Sequence, residues 1–272
     1  MAGSLSHEPI FGRMTTMDHV ETSRPRPDLM HVRLKGAGRY NLMSYAMLHE
    51  LWQTANAIQA DPGIRAVVVA GSDTHFSAGM NLKQNEVRDY REFDTEQRLA
   101  IHAIGARACA AWEALDAVTI TAIEGYCLGG GLAFSIVTDF RVAGASSMLG
   151  APELLNGMSM SWQSVPRLVS LVGPARTRKL VMLADNIDSA TAESWGLVDE
   201  RAADGQAHAA ADALAQRLLD IAPAPLRMTK HAIAQSANAL NHAVSYMDLE
   251  QYVTCQTTDA HGAALDAFFK KR

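Results

Sequence analysis

Short apolar runs that alternate with helical patterns constrain the fold of this chain more than any other feature. The run RAVVVAG at residues 65–71 is rich in β-branched residues and shows no polar alternation, as expected of a strand buried on both faces. Similar short runs occupy residues 29–36, 118–125 and 140–144. Residues 43–60 place apolar side chains at helical spacing after Ser44, a suitable N-cap. This alternation predicts right-handed βαβ units, a mostly parallel sheet and an α/β fold. Beyond about residue 174 the segments have helical patterns.

Three consecutive glycines, Gly129 to Gly131, separate a predicted strand from a helix that is predicted to run to about Asp139. Two known glycine motifs do not fit, because Phe134 stands where a dinucleotide-binding fingerprint has its third glycine and Gly131 where a phosphate-binding loop has lysine. Two interpretations remain open. The bare backbone lets a ligand reach unpaired N–H groups that stabilise an anion, or the glycines only permit tight helix–strand packing.

A second loop, HFSAGMNL at residues 75–82, follows one predicted strand as the glycines follow the next. Adjacent parallel strands would bring both loops to the same edge of the sheet, where two backbone N–H groups would form an oxyanion hole. Glu153 follows Pro152 in the segment GAPELLNG. Proline followed by an acid also occurs at the start of ordinary helices, so these residues alone leave Glu153 either structural or catalytic.

Composition narrows the function classes. The 272 residues include 24 Lys and Arg against 29 Asp and Glu, a net charge of −5 that argues against nucleic acid as a partner. Three cysteines do not form a disulfide framework and fit a reducing compartment, so we expect a cytoplasmic protein. No apolar stretch is long enough to span a membrane, and no membrane partner is expected. Neither a metal-ligand spacing nor a GxSxG motif is present, so we expect no catalytic metal and no serine hydrolase.

Six segments resemble, in order, those of the crotonase superfamily, the enoyl-CoA hydratase/isomerase family: FSAGMNLK, IEGYCLGGGLAF, TDFRVAG, GAPELLNG, RLVSLVG and SATAESWGLVDE. The resemblance runs from about Asp28 to the C-terminus. It implies an α/β, crotonase-like spiral of ββα units followed by a C-terminal helical trimerisation region, in a homotrimer or homohexamer. It also implies an acyl-CoA thioester substrate, with coenzyme A as part of that substrate and no separate cofactor.

The resemblance divides the chain into a flexible N-terminal leader at residues 1–25, an α/β core at 26–200 and a C-terminal helical region at 201–272. The apolar faces of residues 209–222 and 242–255 are predicted to be buried between subunits.

Site residues follow from the same resemblance. The oxyanion-hole donors correspond here to the N–H groups of Met80 and Gly130, and Glu153 corresponds to a catalytic acid or base. The residues predicted to line the coenzyme and thioester site are Ala78, Met80, Asn81, Leu82, Lys83, Gly130, Ala133 and Trp162. Lys230 and Lys271 resemble positions near the coenzyme phosphates, although exposed lysines are commonly just solvated. Cys127 is predicted to serve packing rather than chemistry.

Ala133 leaves the reaction type open. Hydratases of the family carry one glutamate at this position and a second at the position of Glu153. A single glutamate, as here, is the pattern of enoyl-CoA isomerases, whose one base moves a proton from C2 to C4 of the acyl group. Some hydroxycinnamoyl-CoA hydratase-lyases also work with one glutamate. The remaining alternative is a relative that has lost its chemistry and serves as a scaffold or RNA-binding protein.

Overall fold

A computed structural model describes residues 17–270, so the predicted role of Lys271 and most of the predicted leader lie outside the described residues. The strands in this range are β1 (Val20–Arg26), β2 (Leu29–Leu34), β3 (Ala66–Ala70), β4 (Val118–Ile123), β5 (Tyr126–Leu128), β6 (Phe140–Gly144), β7 (Met148–Gly150), β8 (Ile187–Asp188) and β9 (Glu200–Ala202). The helices are α1 (Tyr45–Gln59), α2 (Asn85–Arg88), α3 (Thr95–Glu113), α4 (Gly130–Ser135), α5 (Ser164–Met182), α6 (Ser189–Trp195), α7 (Ala207–Leu219), α8 (Pro223–Ala237), α9 (Asn241–Val244), α10 (Asp248–Cys255) and α11 (Asp259–Lys270). Short 3₁₀ helices occupy Tyr90–Glu92 and Pro152–Asn156.

The strands form two sheets. The larger has the order β1-β2-β3-β4-β6-β9, with β1 antiparallel to β2 and the other neighbours parallel. The smaller has the order β5-β7-β8. In two successive units, β4-β5-α4 and β6-β7-α5, the first strand joins the large sheet and the second joins the small sheet before a helix follows. This arrangement confirms the predicted spiral of ββα units and the α/β fold class.

Strand β3 is buried on both faces, as its apolar sequence predicts. Val67 and Val69 belong to the main core, whereas Val68 on the opposite face of the pleat packs in a second core with Ile120 of β4. Helix α7 supplies the other side of that second core with Ala207, Ala211, Leu214, Ala215, Leu218 and Leu219. The prediction that residues 209–222 bury their apolar face between subunits is therefore wrong, because that face is covered by the chain's own sheet.

Three boundaries differ from the sequence prediction. Residues 20–25 of the predicted leader form most of β1, which pairs with β2. The boundary at residue 200 cuts through β9, the edge strand of the large sheet. Helix α4 ends at Ser135 rather than near Asp139, because β-branched residues follow and Thr138 Oγ1 donates a hydrogen bond to the Ser135 carbonyl, which favours a tight turn.

The predicted N-cap of α1 is confirmed, since Ser44 Oγ accepts the N–H of Met47 at 3.1 Å. None of the helices within residues 17–270 is long and apolar enough to cross a membrane.

Candidate active site

The two loops predicted to converge do meet at the end of the sheet. Ser77 forms a parallel bridge with Cys127, and the N–H of Leu128 donates to the Ser77 carbonyl at 2.9 Å. Gly79, with φ +96°, lies against the second loop so closely that a Cβ there would be 3.0 Å from the Leu128 carbonyl oxygen and 3.5 Å from the Gly130 nitrogen. Glycine is therefore required at position 79 by both its backbone angle and its neighbours.

The backbone N–H groups of Met80 and Gly130 lie in this junction. Among the hydrogen bonds of the described residues, neither N–H has an acceptor. Gly130 is the first residue of α4, and N–H groups in the first turn of a helix have no partner inside the helix. The two residues are adjacent, since a Cβ on Gly130 would lie 3.5 Å from Cγ of Met80. Both residues line the same cavity, and two backbone donors that converge there could hold an oxygen that gains negative charge.

Glu153 stands beside these donors on the 3₁₀ helix Pro152–Asn156, which follows β7. Its Oε1 would be 2.9 Å from a Cβ built on Gly129, whose φ is +53°. Its Oε2 is buried and has no hydrogen-bond partner among the described residues. Burial raises the pKa of the Glu153 carboxyl to about 7. A carboxyl with such a pKa can both accept and return a proton near neutral pH.

These groups open into one cavity of about 140 Å³. It is lined by Ala78, Gly79, Met80, Leu82, Val87, Gly129, Gly130, Ala133, Pro152, Glu153, Asn156, Met158, Met160, Ser161, Trp162, Tyr252, Gln256, His261 and Leu265. Apolar side chains dominate this lining, with a small number of polar groups among them, as is usual for pockets that bind small molecules. Seven of the predicted site residues thus share one cavity: Ala78, Met80, Leu82, Gly130, Ala133, Glu153 and Trp162.

Trp162 lies between two glycines. Its indole ring occupies the space that a side chain at Gly105 of α3 would fill, and a Cβ on Gly130 would lie 3.0 Å from its Cη2. Trp162 has φ +61°, a conformation that non-glycine residues rarely adopt. The ring therefore forms a fixed wall of the cavity beside Gly130. Ala133 lines the same cavity.

Helices α10 and α11 supply a wall that sequence reasoning missed. The residues of this wall are Tyr252 of α10, Gln256 directly after it, and His261 and Leu265 of α11. Burial raises the pKa of the Tyr252 phenol, and the charge of the nearby Glu153 carboxylate raises it further. No signal in the local sequence pattern assigns these residues to the cavity, because the pattern gives the helices but not the surface against which they pack.

Gln256 also ends a buried chain of hydrogen bonds. The Tyr45 hydroxyl lies 2.6 Å from His102 Nδ1, and His102 Nε2 lies 3.2 Å from Gln256 Oε1. The amide oxygen can only accept, so Nε2 carries the hydrogen and Nδ1 accepts from the tyrosine. Burial lowers the pKa of His102 to about 4, which keeps the ring neutral. These hydrogen bonds hold Gln256, the residue that follows α10, against α1 and α3.

Other predicted residues lie elsewhere. Asn81 and Lys83 do not contact the cavity; the Asn81 Oδ1 instead accepts the N–H of Lys83 at 3.1 Å. Lys230 is neither solvated nor free, because its Nζ lies 2.8 Å from Asp139 Oδ2 and 2.7 Å from the Ala117 carbonyl. The prediction that it meets coenzyme phosphates is not supported by this arrangement. Burial raises the pKa of the Cys127 thiol to about 12, as fits a packing role.

Three side chains that could share a metal ion come together away from the cavity. His31 of β2 and His208 of α7 flank Asp212, with His31 Nε2 2.7 Å from Asp212 Oδ1 and His208 Nδ1 3.5 Å from Asp212 Oδ2. The sequence spacing of these residues gave no indication of the cluster. The contacts already link β2 to α7 through the shared carboxylate.

Comparisons with known proteins give consistent matches. Residues 27–272 match the family described as enoyl-CoA hydratase/isomerase. A probable enoyl-CoA hydratase of Mycobacterium tuberculosis, EchA17, is 32% identical over 194 residues, which cover 71% of this chain and 72% of the relative. A crotonyl-CoA hydratase of Syntrophomonas wolfei is 27% identical over 237 residues, 85% of this chain and 88% of the relative. The crystal structure of an enoyl-CoA hydratase/isomerase from Xanthobacter autotrophicus has a TM-score of 0.85 at 21% identity and covers 94% of each chain.

Proposed function

Because this chain belongs to the enoyl-CoA hydratase/isomerase family, within the crotonase superfamily, we propose that it moves protons on the acyl group of enoyl-CoA thioesters with Glu153 as its single base. One observation carries the proposal: an unpaired carboxylate oxygen and two unpaired backbone N–H groups lie around the same cavity. The acyl group enters as its coenzyme A thioester, and no further cofactor takes part. This function needs an acidified α-proton and a base that can reach it.

The oxyanion hole supplies the acidity. When a proton leaves C2, negative charge moves to the thioester oxygen, and the N–H groups of Met80 and Gly130 hold that oxygen as it becomes an enolate. Each such preorganised donor contributes roughly 2.7–4 kcal/mol to the transition state in enzymes of this kind of chemistry. A side chain at Gly129 would displace Glu153, and side chains at Gly79 and Gly130 would push against the Leu128 carbonyl and the Trp162 ring, so these glycines keep the two loops close together.

Glu153 moves the proton. In isomerisation of a 3-enoyl thioester, its carboxylate takes a proton from C2, and the resulting dienolate takes the same proton back at C4, so that the double bond moves from C3–C4 to C2–C3. One group suffices for both steps, and a pKa of about 7 suits acceptance and return of the proton. Ala133 contributes a methyl group to the wall and no second acid. We therefore favour isomerisation.

Hydration is the second candidate, because the relatives named above are described as hydratases. In this reaction Glu153 would take a proton from water as the hydroxyl oxygen attacks C3 of a 2-enoyl thioester, and a proton would then be delivered to C2. Without a glutamate at position 133, a single carboxylate would have to orient the water as well as deprotonate it. Comparison of 2-enoyl, 3-enoyl and aryl-enoyl thioesters as substrates separates isomerisation, hydration and hydratase-lyase chemistry.

Glu153→Gln tests the base. The amide keeps the shape but cannot accept the proton, so we expect kcat to fall by about 10² or more. Binding of a saturated acyl-CoA, measured by calorimetry, is expected to change little, because the oxyanion hole is intact. Glu193→Gln on the exposed surface of α6 is the matched control and should leave turnover unchanged. Near-wild-type turnover in Glu153→Gln would contradict the assignment of Glu153 as the base. Failure of the wild type to bind any acyl-CoA thioester would contradict the proposed function.

We also propose that the enzyme assembles as a homotrimer or homohexamer in the cytoplasm. Support for assembly comes from apolar side chains on α8 and the segment that follows it, where Met228, Ile233, Leu240, Val244 and Tyr246 are each more than 60% exposed. Exposed apolar side chains that cluster on a surface are typical of association surfaces. Support for the compartment comes from three cysteines that are all unpaired.

A further inference from the structure

His261 brings a buried nitrogen without a partner to the cavity. The residue is only 4% exposed and lines the cavity from α11. Its Nδ1 lies 2.9 Å from the carbonyl oxygen of Asn156. Its Nε2 is buried and makes no hydrogen bond within residues 17–270. The proton transfer proposed above does not use this ring, so the unpaired nitrogen needs another explanation.

The hydrogen bond to Asn156 fixes the chemical character of the free nitrogen. A carbonyl oxygen only accepts, so the hydrogen of the neutral imidazole must be on Nδ1. Nε2 then presents a bare lone pair. An acceptor that is buried without a donor is unfavourable, and native proteins retain such groups mainly where something else binds. The nitrogen therefore requires a hydrogen-bond donor from outside the protein.

The ring is held so that it cannot turn away from the cavity. Gly157 has φ +65°, and a Cβ there would lie 2.8 Å from both the Cα and the N of His261, so the backbone of α11 packs directly on the turn that carries Glu153. The Tyr90 ring packs edge-on against the imidazole at a centroid distance of 5.1 Å. These contacts, together with the Nδ1 bond, fix the position of Nε2 in advance of binding.

The surroundings of the ring identify the class of donor. The cavity that His261 lines is largely apolar, with Leu82, Val87, Met158 and Leu265 among its lining residues beside the polar Tyr252 and Gln256. An acyl chain with no polar group would fill these walls but would leave Nε2 unpaired. A carboxylate on the chain would bring a second negative charge into the cavity that holds Glu153. A hydroxyl group is uncharged and donates one hydrogen bond, which is what the nitrogen lacks.

We propose that His261 is a specificity-determining residue whose Nε2 accepts a hydrogen bond from a hydroxyl group on the acyl chain, beyond the reacting carbons. The preferred substrates are then hydroxylated enoyl-CoA thioesters. This inference rests on the proposed function, since it presumes that the cavity receives the acyl group of a thioester. It assigns no proton transfer to His261, which acts by binding only.

Matched thioesters test the inference. Two enoyl-CoA substrates of equal chain length, one with a terminal hydroxyl and one without, are compared by kcat/KM. A site with a buried acceptor discriminates strongly against an analogue that leaves the acceptor unpaired, so the wild type should prefer the hydroxylated substrate by at least about tenfold. Equal kcat/KM values for the two substrates would overturn the inference and leave the proposed function standing. Absence of turnover and of binding for every thioester would overturn the proposed function itself, and the inference with it.

Two variants separate recognition from a structural role. His261→Asn keeps an amide N–H near the position of Nδ1, where it can still donate to Asn156, but removes the acceptor at Nε2. His261→Gln reaches the position of Nε2 with its amide oxygen and loses the bond to Asn156. We expect His261→Asn to lose the hydroxyl preference with an unchanged Tm, and His261→Gln to retain part of it. The opposite pattern, with the preference intact in His261→Asn and a lowered Tm in His261→Gln, would show a purely structural histidine and overturn the inference.

Discussion

Replacement of Glu153 by glutamine should stabilise the folded protein at alkaline pH, in addition to removing the proposed base. The folded-state pKa of Glu153 is raised from 4.5 to about 7, because its carboxyl is buried and its Oε2 has no hydrogen-bond partner among the described residues. Between these values the unfolded chain releases the proton and the folded chain retains it. The unfolded state therefore binds fewer protons, and the free energy of unfolding falls as the pH rises through this window.

The size of the effect follows from the shift. A change from 4.5 to about 7 corresponds, at about 1.4 kcal/mol per pKa unit, to about 3 kcal/mol of stability lost above pH 7. Glutamine has no proton to lose, so the stability difference between variant and wild type should be near zero at pH 4.5 and should rise to about 3 kcal/mol at pH 8. The wild type thus gives up stability to keep an ionisable group in an apolar cavity.

Urea unfolding at fixed protein concentration, repeated from pH 5 to pH 8, measures this difference. Glu193→Gln, on the exposed surface of α6, removes a carboxylate of the same size and should show no such pH dependence. A stability difference between Glu153→Gln and the wild type that stays constant from pH 5 to pH 8 would refute the reasoning. It would mean that the Glu153 carboxyl ionises at its ordinary pH in the folded protein.

Three further perturbations are informative. In the pH profile of the wild type, kcat/KM should rise with pH through about 7 as Glu153 ionises, and a profile already flat at pH 5 would contradict its role as base. Gly129→Ala places a methyl 2.9 Å from the Glu153 carboxyl and should lower kcat/KM by about 10² or more, whereas Gly205→Ala, at a similar positive φ with open space around it, should cost only about 1–2 kcal/mol of stability and no activity. Ala133→Glu should raise hydration of crotonyl-CoA and exclude bulky acyl groups; a wild type that already hydrates crotonyl-CoA at about 10 s⁻¹ or more would favour hydratase over isomerase. Sedimentation at micromolar concentration should give a trimer or hexamer, and a monomer would contradict the assembly.

Local sequence patterns predicted that the two loops meet at one edge of the sheet, and the structure brings these loops together. The glycines at 79, 129 and 130 are unusual in sequence because their positions tolerate no side chain, so a reader of the sequence can find them. Glu153 could be singled out by resemblance, but not its burial, since the burial depends on residues far along the chain. The α/β alternation and the buried strand β3 were predictable because periodicity reports burial directly.

The rest of the site depends on long-range packing. Tyr252 and His261 lie on helices whose patterns predict helix but not which surface they cover. The sequence suggested a solvated Lys230, yet Asp139, 91 residues earlier in the chain, holds its Nζ inside the fold. The amphipathic pattern of α7 suggested a surface between subunits, but its alanines and leucines pack on β3 and β4 of the same chain. The apolar face of an amphipathic helix can pack against a sheet of the same chain or against another subunit. The sequence pattern alone does not distinguish these two cases.

The cavity wall formed by α10 and α11 has a consequence for how the protein is made. The ribosome releases the sheet, both glycine loops and the Glu153 turn well before the helices that carry Tyr252 and His261. The contact between His261 and Asn156 spans 105 residues, so this wall can close only after nearly the whole chain has emerged. Before that point the turn that carries Glu153 lacks the cover that Tyr252, His261 and Leu265 give it in the folded protein. A stop codon after α10 would remove both a wall of the cavity and Leu265 from the main core.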